Sequence, residues 1–374
     1  MPNLEALASF EDFRAAAKRA LPRILFDYID GGSYSETTLK RNVNAFQDLT
    51  LDQRVMLDMS NISSEIELFG EKLAAPIILA PVGFSGMYAK RGEVQAAKAA
   101  YSHNLPFCLS TVGICSIDEV TQDAGKAPWF QLYMIKDRAC IADLLAKAQD
   151  NGSKVLVLTA DLQTPGARYR DVRSGMMRKL SVVEYMKRGL EGVMKAHWSY
   201  NVMLKGRPHT FGNLQGVLPE NASFDEAWKW ISQNFDPSVN WDDLAFIREH
   251  WKGPIVLKGI MTAEDAKLAV EHELDGIVVS NHGGRQLDGA PTSVSVLPEI
   301  VEVVDKKLKV LLDSGVRTGL DVLKARQLGA DACLIGRPWA FALAAGGQQG
   351  VDRLLTLMKA ELRTAQVLSG ISSC

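Results

Sequence analysis

The run SNHGGRQLDG at 280–289 places an imidazole and a guanidinium on either side of a glycine pair. His282 can lose and regain a proton near neutral pH, and Arg285 can grip a carboxylate through two parallel donors. Gly283 and Gly284 permit a sharp backbone turn between them. Other polar groups stand at the ends of short apolar runs: Ser110 and Thr111, Gln131 and Tyr133, Asp161, and Lys258. A fixed ammonium such as Lys258 can hold negative charge as it develops in a reaction. Asp161 can orient the protonated nitrogen of His282 and stabilise the imidazolium, provided the two meet in space. Each group also has a plainer reading. Lys258 can be a surface ion pair, Asp161 a helix cap, and Tyr28 and Tyr133 amphipathic core groups. Ser110, Thr111, Gln131, Thr159 and Ser280 can simply cap turns.

Two glycine-bearing segments near the C-terminus, DSGVRTG at 313–319 and LIGRPW at 334–339, have the make-up of phosphate-holding loops. Loop amides and a helix N-terminus cradle an anion there, and Arg317 and Arg337 can add bidentate charge pairing. No GxGxxG fingerprint follows an early strand, so a nicotinamide-binding reading gains no support. Neither CxxC, HxxxH nor an acidic calcium loop is present, and no metal is expected. A formal net charge of -2 offers no global attraction to nucleic acid. The five cysteines lack metal-pair spacing and suit buried thiols in a reducing compartment. Glu5, Glu11 and Asp12 interrupt the first twenty residues, which argues against a cleaved signal. No uncharged apolar stretch reaches the length of a membrane span.

Positioning such groups requires a scaffold, and the chain from residue 76 onward supplies a repeating texture. Apolar runs at 76–81, 107–110, 129–133, 155–161, 255–259, 276–281, 309–315 and 332–336 read as strands. They lack strict polar alternation, as expected when helices cover both faces of a parallel sheet. Helix candidates lie between them at 91–103, 117–124, 137–150, 241–250, 262–272, 296–307 and 319–329, with a last one near 350–366. Eight alternations favour an α/β fold closed as a (β/α)8 barrel over an open doubly wound sheet. Leu320, Leu323 and Leu328 fit an inward helical stripe. Residues 1–75 read as a helical and irregular extension. Ser9 caps one helix with Asp12, Pro22 starts a second, and Gly31-Gly32 ends it through a left-handed cap. The expected organisation is one domain over 1–374.

The connection after Asp161 is far longer than a crossover needs, so an insertion sits on the face carrying the C-terminal end of the fourth barrel strand. Its segment 174–220 carries Arg178, Lys179, Lys187, Arg188, Lys195, Lys205 and Arg207 among methionines, valines and leucines. An amphipathic basic segment can settle on an anionic membrane surface; a mobile lid or an oligomer contact is the alternative.

With these residues in hand, the sequence resembles the FMN-dependent L-2-hydroxy acid oxidising family, most closely its bacterial quinone-linked L-lactate dehydrogenases. The resemblance covers residues 8–370 through FDYIDGGS, APVG, LST, WFQLY, TAD, KGI, SNHGGRQLDG, DSGVR and LIGR in the expected order. It implies FMN as cofactor and His282 as the base, taking either the α-proton or the hydroxyl proton. It implies Asp161 as the orienter of His282, Tyr28, Arg168 and Arg285 as the carboxylate clamp, and Tyr133 on the hydroxyl side. Pro81, Val82, Gly83, Ser110, Gln131, Thr159, Lys258 and Ser280 match flavin contacts. Asp313, Gly315, Arg317, Gly336 and Arg337 match the ribityl and phosphate end. The resemblance further implies a homotetramer, a quinone acceptor and a peripheral place on the cytoplasmic face of the inner membrane, or else in the cytoplasm. Two departures stand out. Gln163 occupies a position where many relatives carry proline. Gly83 stands where oxidases commonly carry alanine, which favours a dehydrogenase over an oxygen-using oxidase. L-lactate is the first expected substrate, with L-mandelate and longer 2-hydroxy acids behind it.

Overall fold

All eight apolar runs become strands of one parallel sheet. The computed structural model describes residues 3–176, 178, 180–218 and 224–373. The chain enters through α1 (Phe10–Ala20), α2 (Arg23–Asp30) and α3 (Thr37–Asp48), followed by an antiparallel hairpin of β1 (Ile66–Leu68) and β2 (Glu71–Leu73). The barrel then begins with β3 (Ile77–Leu79), α4 (Gly92–Ser102), β4 (Cys108–Ser110), α5 (Ile117–Ala124), β5 (Trp129–Tyr133), α6 (Arg138–Asp150) and β6 (Leu156–Thr159). After β6 come α7 (Tyr169–Ser174), α8 (Val182–Met194), α9 (Ala196–Trp198), α10 (Phe224–Asn234) and α11 (Asp243–His250). The remaining alternation is β7 (Ile255–Ile260), α12 (Ala263–Glu271), β8 (Gly276–Val279), α13 (Ser293–Val304), β9 (Lys309–Leu312), α14 (Gly319–Gln327), β10 (Ala332–Ile335) and α15 (Arg337–Ser369). The strand order is β3-β10-β9-β8-β7-β6-β5-β4, and a parallel bridge from Leu79 to Phe107 brings the two edges together.

Alternation within each strand decides what faces the barrel axis. Phe130, Leu132, Leu156, Leu158, Leu257 and Ile277 point out into the layer shared with the helices, whereas Trp129, Val157, Val256, Val278, Leu311 and Leu334 fill the interior. Because the period is two, the next inward positions are Gln131, Thr159, Lys258, Ser280, Asp313 and Gly336. The interior is therefore apolar at the N-terminal end and polar at the C-terminal end, where barrels carry their chemistry.

Several expectations need correction. Residues 1–75 contain a hairpin as well as helices. Its turn is left-handed at Phe69 (φ 48°) and Gly70 (φ 75°), and its Leu68 and Leu73 join the barrel interior, closing the lower end. Ser9 and Asp12 do form a reciprocal cap, but Gly31 has φ -71°, so α2 ends in extended backbone without a left-handed cap. Leu320 is exposed; the buried face of α14 is Gly319, Val322, Leu323 and Ala325, one position off the expected stripe. The helix expected at 296–307 starts at Ser293 under a Thr292 cap and stops where Asp305 turns left-handed at φ 47°. The last helix begins directly after β10 and breaks at Gly346-Gly347, so 350–366 is only its second part.

In the insertion, α8 has no buried residue and exposes Val182, Val183, Tyr185, Met186, Leu190, Val193 and Met194. Its flanks are anchored: Glu191 accepts from Arg23 N at 2.7 Å, and Trp198 Nε1 donates to Met87 O at 2.8 Å. Much of the expected basic charge has local partners. Arg178 pairs with Glu184, Arg188 donates to the carbonyls of Ser174 and Gly175, Arg207 donates to Met203 O, and Lys205 lies 4.5 Å from the Tyr200 ring. Lys179 lies outside the described residues. Glu184 offsets the charge of Arg178, whereas bonds to neutral carbonyls leave Arg188 and Arg207 cationic, so this segment presents apolar side chains together with positive charge.

Candidate active site

The turn after β8 holds three consecutive left-handed residues, His282 (φ 57°), Gly283 (φ 67°) and Gly284 (φ 70°). A β-carbon at Gly284 would stand 2.5 Å from Leu39 N, so glycine is required there for space as well as for φ. A non-glycine residue in this region is strained, and such strain concentrates at functional sites. His282 N donates to Ser280 Oγ at 3.0 Å, and its Nδ1 lies 2.8 Å from Asp161 Oδ1. The strand ends carrying the two groups thus meet. Burial lowers the His282 pKa below its ordinary value, and Lys258 and Arg168 push the same way against the opposing pull of Asp161. The balance favours the neutral ring. For Asp161, burial favours the neutral acid, but His282 and Lys258 outweigh it and hold the carboxyl below the usual range.

A cleft of about 1200 Å³, part of it open to solvent, lies over this end of the barrel. Along one side stand Tyr28, Tyr133, Arg168, His282 and Arg285. Arg285 Nη1 donates to Tyr28 O at 2.6 Å and Gly31 O at 2.9 Å, and its guanidinium sits 4.7 Å from the Tyr28 ring. Arg168, buried at the start of α7, donates through Nε to Arg285 O at 3.3 Å. Burial lowers the Arg168 pKa and the neighbouring Arg285 adds repulsion, so an anion placed between the two relieves both. Burial likewise pushes the Tyr133 phenol well up, leaving it a neutral hydroxyl donor.

The opposite side and floor are Pro81, Val82, Gly83, Thr159 and Lys258. Lys258 Nζ reaches Ser280 Oγ at 2.7 Å and Asp313 Oδ2 at 2.9 Å; burial works against its charge, but Asp313 and Asp161 together outweigh it and raise the ammonium pKa. Below it runs a polar ladder in which Ser110 Oγ donates to Gln131 Oε1 and Gln131 Nε2 donates to Thr159 Oγ1, each at 3.0 Å. Ser110, Gln131, Ser280 and Asp161 stand behind the lining and act on the cleft through these contacts. Thr111 turns away, clasping the backbone of β5.

At the far end, Asp313, Gly315, Arg317, Gly336 and Arg337 all line the cleft. Gly315 (φ 115°) is bound to be glycine, since a β-carbon would stand 2.2 Å from Asn42 O. Burial lowers the Arg317 pKa to about 10, and its Nε is buried without a protein partner. Arg337 opens α15 and donates to the carbonyls of Ile29, Gly31 and Gly283.

Sequence reasoning missed several supporting residues. Gln286 Nε2 holds the carbonyls of Asp161 and Thr164, tying the two catalytic loops together. Ser314 Oγ accepts from Gly283 N at 2.8 Å, and Asp171 lies buried behind Arg168 at 3.9 Å. Phe235, returning from the insertion, lines the cleft 5.6 Å from the Tyr133 ring. Gln286 and Ser314 lie inside the motifs quoted above, but nothing local signals their distant partners.

A family model described as FMN-dependent dehydrogenase matches residues 17–374. The chain belongs to that family. It is 51% identical over 367 residues to the L-lactate dehydrogenase of Caulobacter sp. (strain K31), covering 98% of this chain and 96% of the relative. The identity to the L-lactate dehydrogenase of Pseudomonas syringae pv. syringae (strain B728a) is 50%, with the same coverage. Among solved structures, (S)-mandelate dehydrogenase, described as a monotopic membrane protein, superposes with a TM-score of 0.92 at 33% identity, covering 98% of this chain and 96% of that one. Mandelate oxidase superposes with a TM-score of 0.84 at 37% identity and the same coverage.

The chain is therefore an FMN-dependent oxidoreductase of the 2-hydroxy acid dehydrogenase and oxidase family, and the cleft suits its cofactor. Arg317 with an unspent buried Nε, the N-terminus of α15 and the Gly315 cradle fit a phosphate. The polar ladder and the buried Lys258 ammonium fit the heteroatom edge of a flavin ring.

Proposed function

We propose that this chain oxidises L-lactate to pyruvate, with His282 as the base, and passes the electrons through FMN to a quinone at a membrane surface. The observation that carries the reading is the 2.8 Å contact between His282 Nδ1 and Asp161, beside a cleft that also bears two guanidinium groups. With Nδ1–H donated to Asp161, the Nε2 lone pair is left for the substrate. Arg168 and Arg285 hold the carboxylate, Tyr28 supports them, and the Tyr133 hydroxyl meets the substrate oxygen. A clamp of this kind fixes the α-carbon before any bond breaks. His282 Nε2 then accepts a proton from the α-carbon or from the hydroxyl, and Asp161 stabilises the imidazolium. Bound FMN supplies a two-electron acceptor. Lys258 would compensate negative charge on that acceptor, and Arg317 and Arg337 would hold its phosphate.

Lactate is favoured because the most similar relatives named above are L-lactate dehydrogenases, and because Val112, Leu162, Pro165 and Phe235 bound the space beyond the catalytic groups. The membrane reading rests on α8, whose Val182 and Met194 are 77% and 75% exposed, and on the likeness to a monotopic membrane protein. No helix among the described residues is long and apolar enough to cross a membrane, and the attachment proposed here is peripheral, at the cytoplasmic face of the inner membrane. Residues 1–374 act as one catalytic domain, with 1–75 as extension and 174–220 as the surface-binding insertion, assembled as a homotetramer.

Anaerobic titration with L-lactate, followed by separate challenges with quinone and air, tests the reaction. Bleaching by lactate, rapid reoxidation by quinone and slow reoxidation by air are expected; rapid reoxidation by air with peroxide release would make the protein an oxidase. Sedimentation with anionic lipid vesicles tests the surface. Equal binding by the intact chain and one lacking residues 176–205 would defeat the role given to the insertion.

A further inference from the structure

We propose that Asn42 is a positioning residue for the base: the amide pair it forms with Asn281 fixes the left-handed turn that aims His282 into the cleft. The inference rests on the reading of His282 as the base. The backbone of residues 282–284 is one that a histidine rarely adopts, so contacts outside the turn must maintain it. Within the turn, Gly284 N donates to Asn281 Oδ1 at 3.1 Å. The Asn281 side chain is held in turn by Asn42, and the two amides exchange reciprocal hydrogen bonds, each of 2.8 Å. Asn281 Nδ2 also reaches Pro291 O at 3.0 Å, so both ends of its amide are committed.

Asn42 belongs to α3, outside the barrel and 239 residues away in sequence, and touches neither cleft nor substrate position. It is 1% exposed. Its backbone carbonyl packs under Gly315, so one residue braces both the catalytic turn and the phosphate-end turn. The rest of the N-terminal extension is stapled along the same loop. Ser33 N donates to Gly284 O at 2.9 Å, Thr38 N to Asp288 Oδ1 at 2.7 Å, and Gly289 N to Thr38 Oγ1 at 2.8 Å. A buried polar pair that is fully satisfied adds little net stability over apolar packing, but it specifies one register of the elements it joins. Here the register specified is that of the His282 backbone.

The test uses FMN-loaded protein and three variants: Asn42→Ala, Asp288→Asn as a milder loosening of the same loop, and Asn44→Ala on the exposed side of α3 as a control. Anaerobic reduction by L-lactate is measured per loaded flavin across pH, with KM and the effect of deuterium at the α-carbon. For Asn42→Ala the reduction rate is expected to fall about 10- to 100-fold, the scale of a displaced catalytic group. Its KM changes far less, because Arg285 keeps its own bonds to the carbonyls of Tyr28 and Gly31 and to Arg168. The acid limb of the profile rises toward that of an ordinary histidine as the ring becomes better solvated. Asp288→Asn shows a smaller change in the same direction, and Asn44→Ala shows none. Wild-type rate and acid limb in both Asn42→Ala and Asp288→Asn, even with a lowered Tm, would overturn the inference. Should Asn42→Ala fail to fold, Asn42→Asp, which keeps the side chain's size but loses the Nδ2 donor to Asn281 Oδ1, decides it by the same rate and acid limb. A wild-type flavin that no 2-hydroxy acid reduces would instead overturn the proposed function, and this inference with it.

Discussion

Replacing Asp161 by asparagine leaves the shape of the site almost unchanged and removes one charge from beside His282. The carboxylate lies 2.8 Å from Nδ1, and at an effective dielectric of about 20 a full ion pair at that separation is worth roughly 6 kcal/mol. Asparagine can still accept from Nδ1–H through its carbonyl oxygen, which returns a neutral hydrogen bond of about 1 kcal/mol, and solvent entering the loosened site recovers part of the remainder. A net loss of about 2–4 kcal/mol follows, equivalent to a fall of roughly 30- to 1000-fold in the rate of flavin reduction. The pH profile carries an independent sign. Asp161 raises the His282 pKa against a burial that lowers it. Removing the carboxylate therefore moves the acid limb to still lower pH, so activity falls at every pH while the neutral ring persists further into acid. Anaerobic stopped-flow reduction with L-lactate between pH 5 and 9 reads both effects. A rate within a few-fold of wild type together with an unmoved limb would refute the pairing as the source of base strength.

Three further outcomes follow from the same geometry. Arg168→Met removes one half of the carboxylate clamp beside a second buried cation, so kcat/KM for L-lactate is expected to drop about 100-fold, mostly through KM, in steady-state assays. Arg337→Leu takes away three backbone contacts and a cation at the N-terminus of α15, and equilibrium dialysis is expected to show weaker FMN retention with the fold preserved by circular dichroism. Gly284→Ala forces a methyl to 2.5 Å from Leu39 N in a left-handed backbone, and thermal unfolding is expected to show a loss of more than about 2 kcal/mol together with slowed flavin reduction.

The barrel was legible because its strands are buried on both faces, which writes them as mostly apolar runs such as IIL or GIVV. The site was legible for a related reason. Several strands that end in the cleft carry a polar group at the inward position following an inward apolar residue, as Lys258 follows Val256 and Asp313 follows Leu311. What stayed hidden depends on partners far apart in the chain. Asn42 looks like one more helical asparagine until it meets Asn281, and Gln286 like a loop residue until it reaches the carbonyl of Asp161. The β1–β2 hairpin is too short to show a periodic pattern, and its purpose, closing the lower end of the barrel, exists only in the folded protein. The local partners of charges in the insertion were hidden for the same reason. A count of arginines and lysines does not reveal that Arg178 already pairs with Glu184 or that Arg188 caps backbone carbonyls.

The central claim is that the imidazole at the mouth of the barrel is the group that takes the substrate proton. His282→Ala, loaded with FMN and mixed anaerobically with L-lactate, tests it most directly. The account predicts a protein that keeps its yellow flavin spectrum and binds the substrate carboxylate, yet whose flavin is reduced at least about 1000-fold more slowly than in the wild type, a loss of general-base catalysis. Flavin bleaching at the wild-type rate in that variant would contradict it.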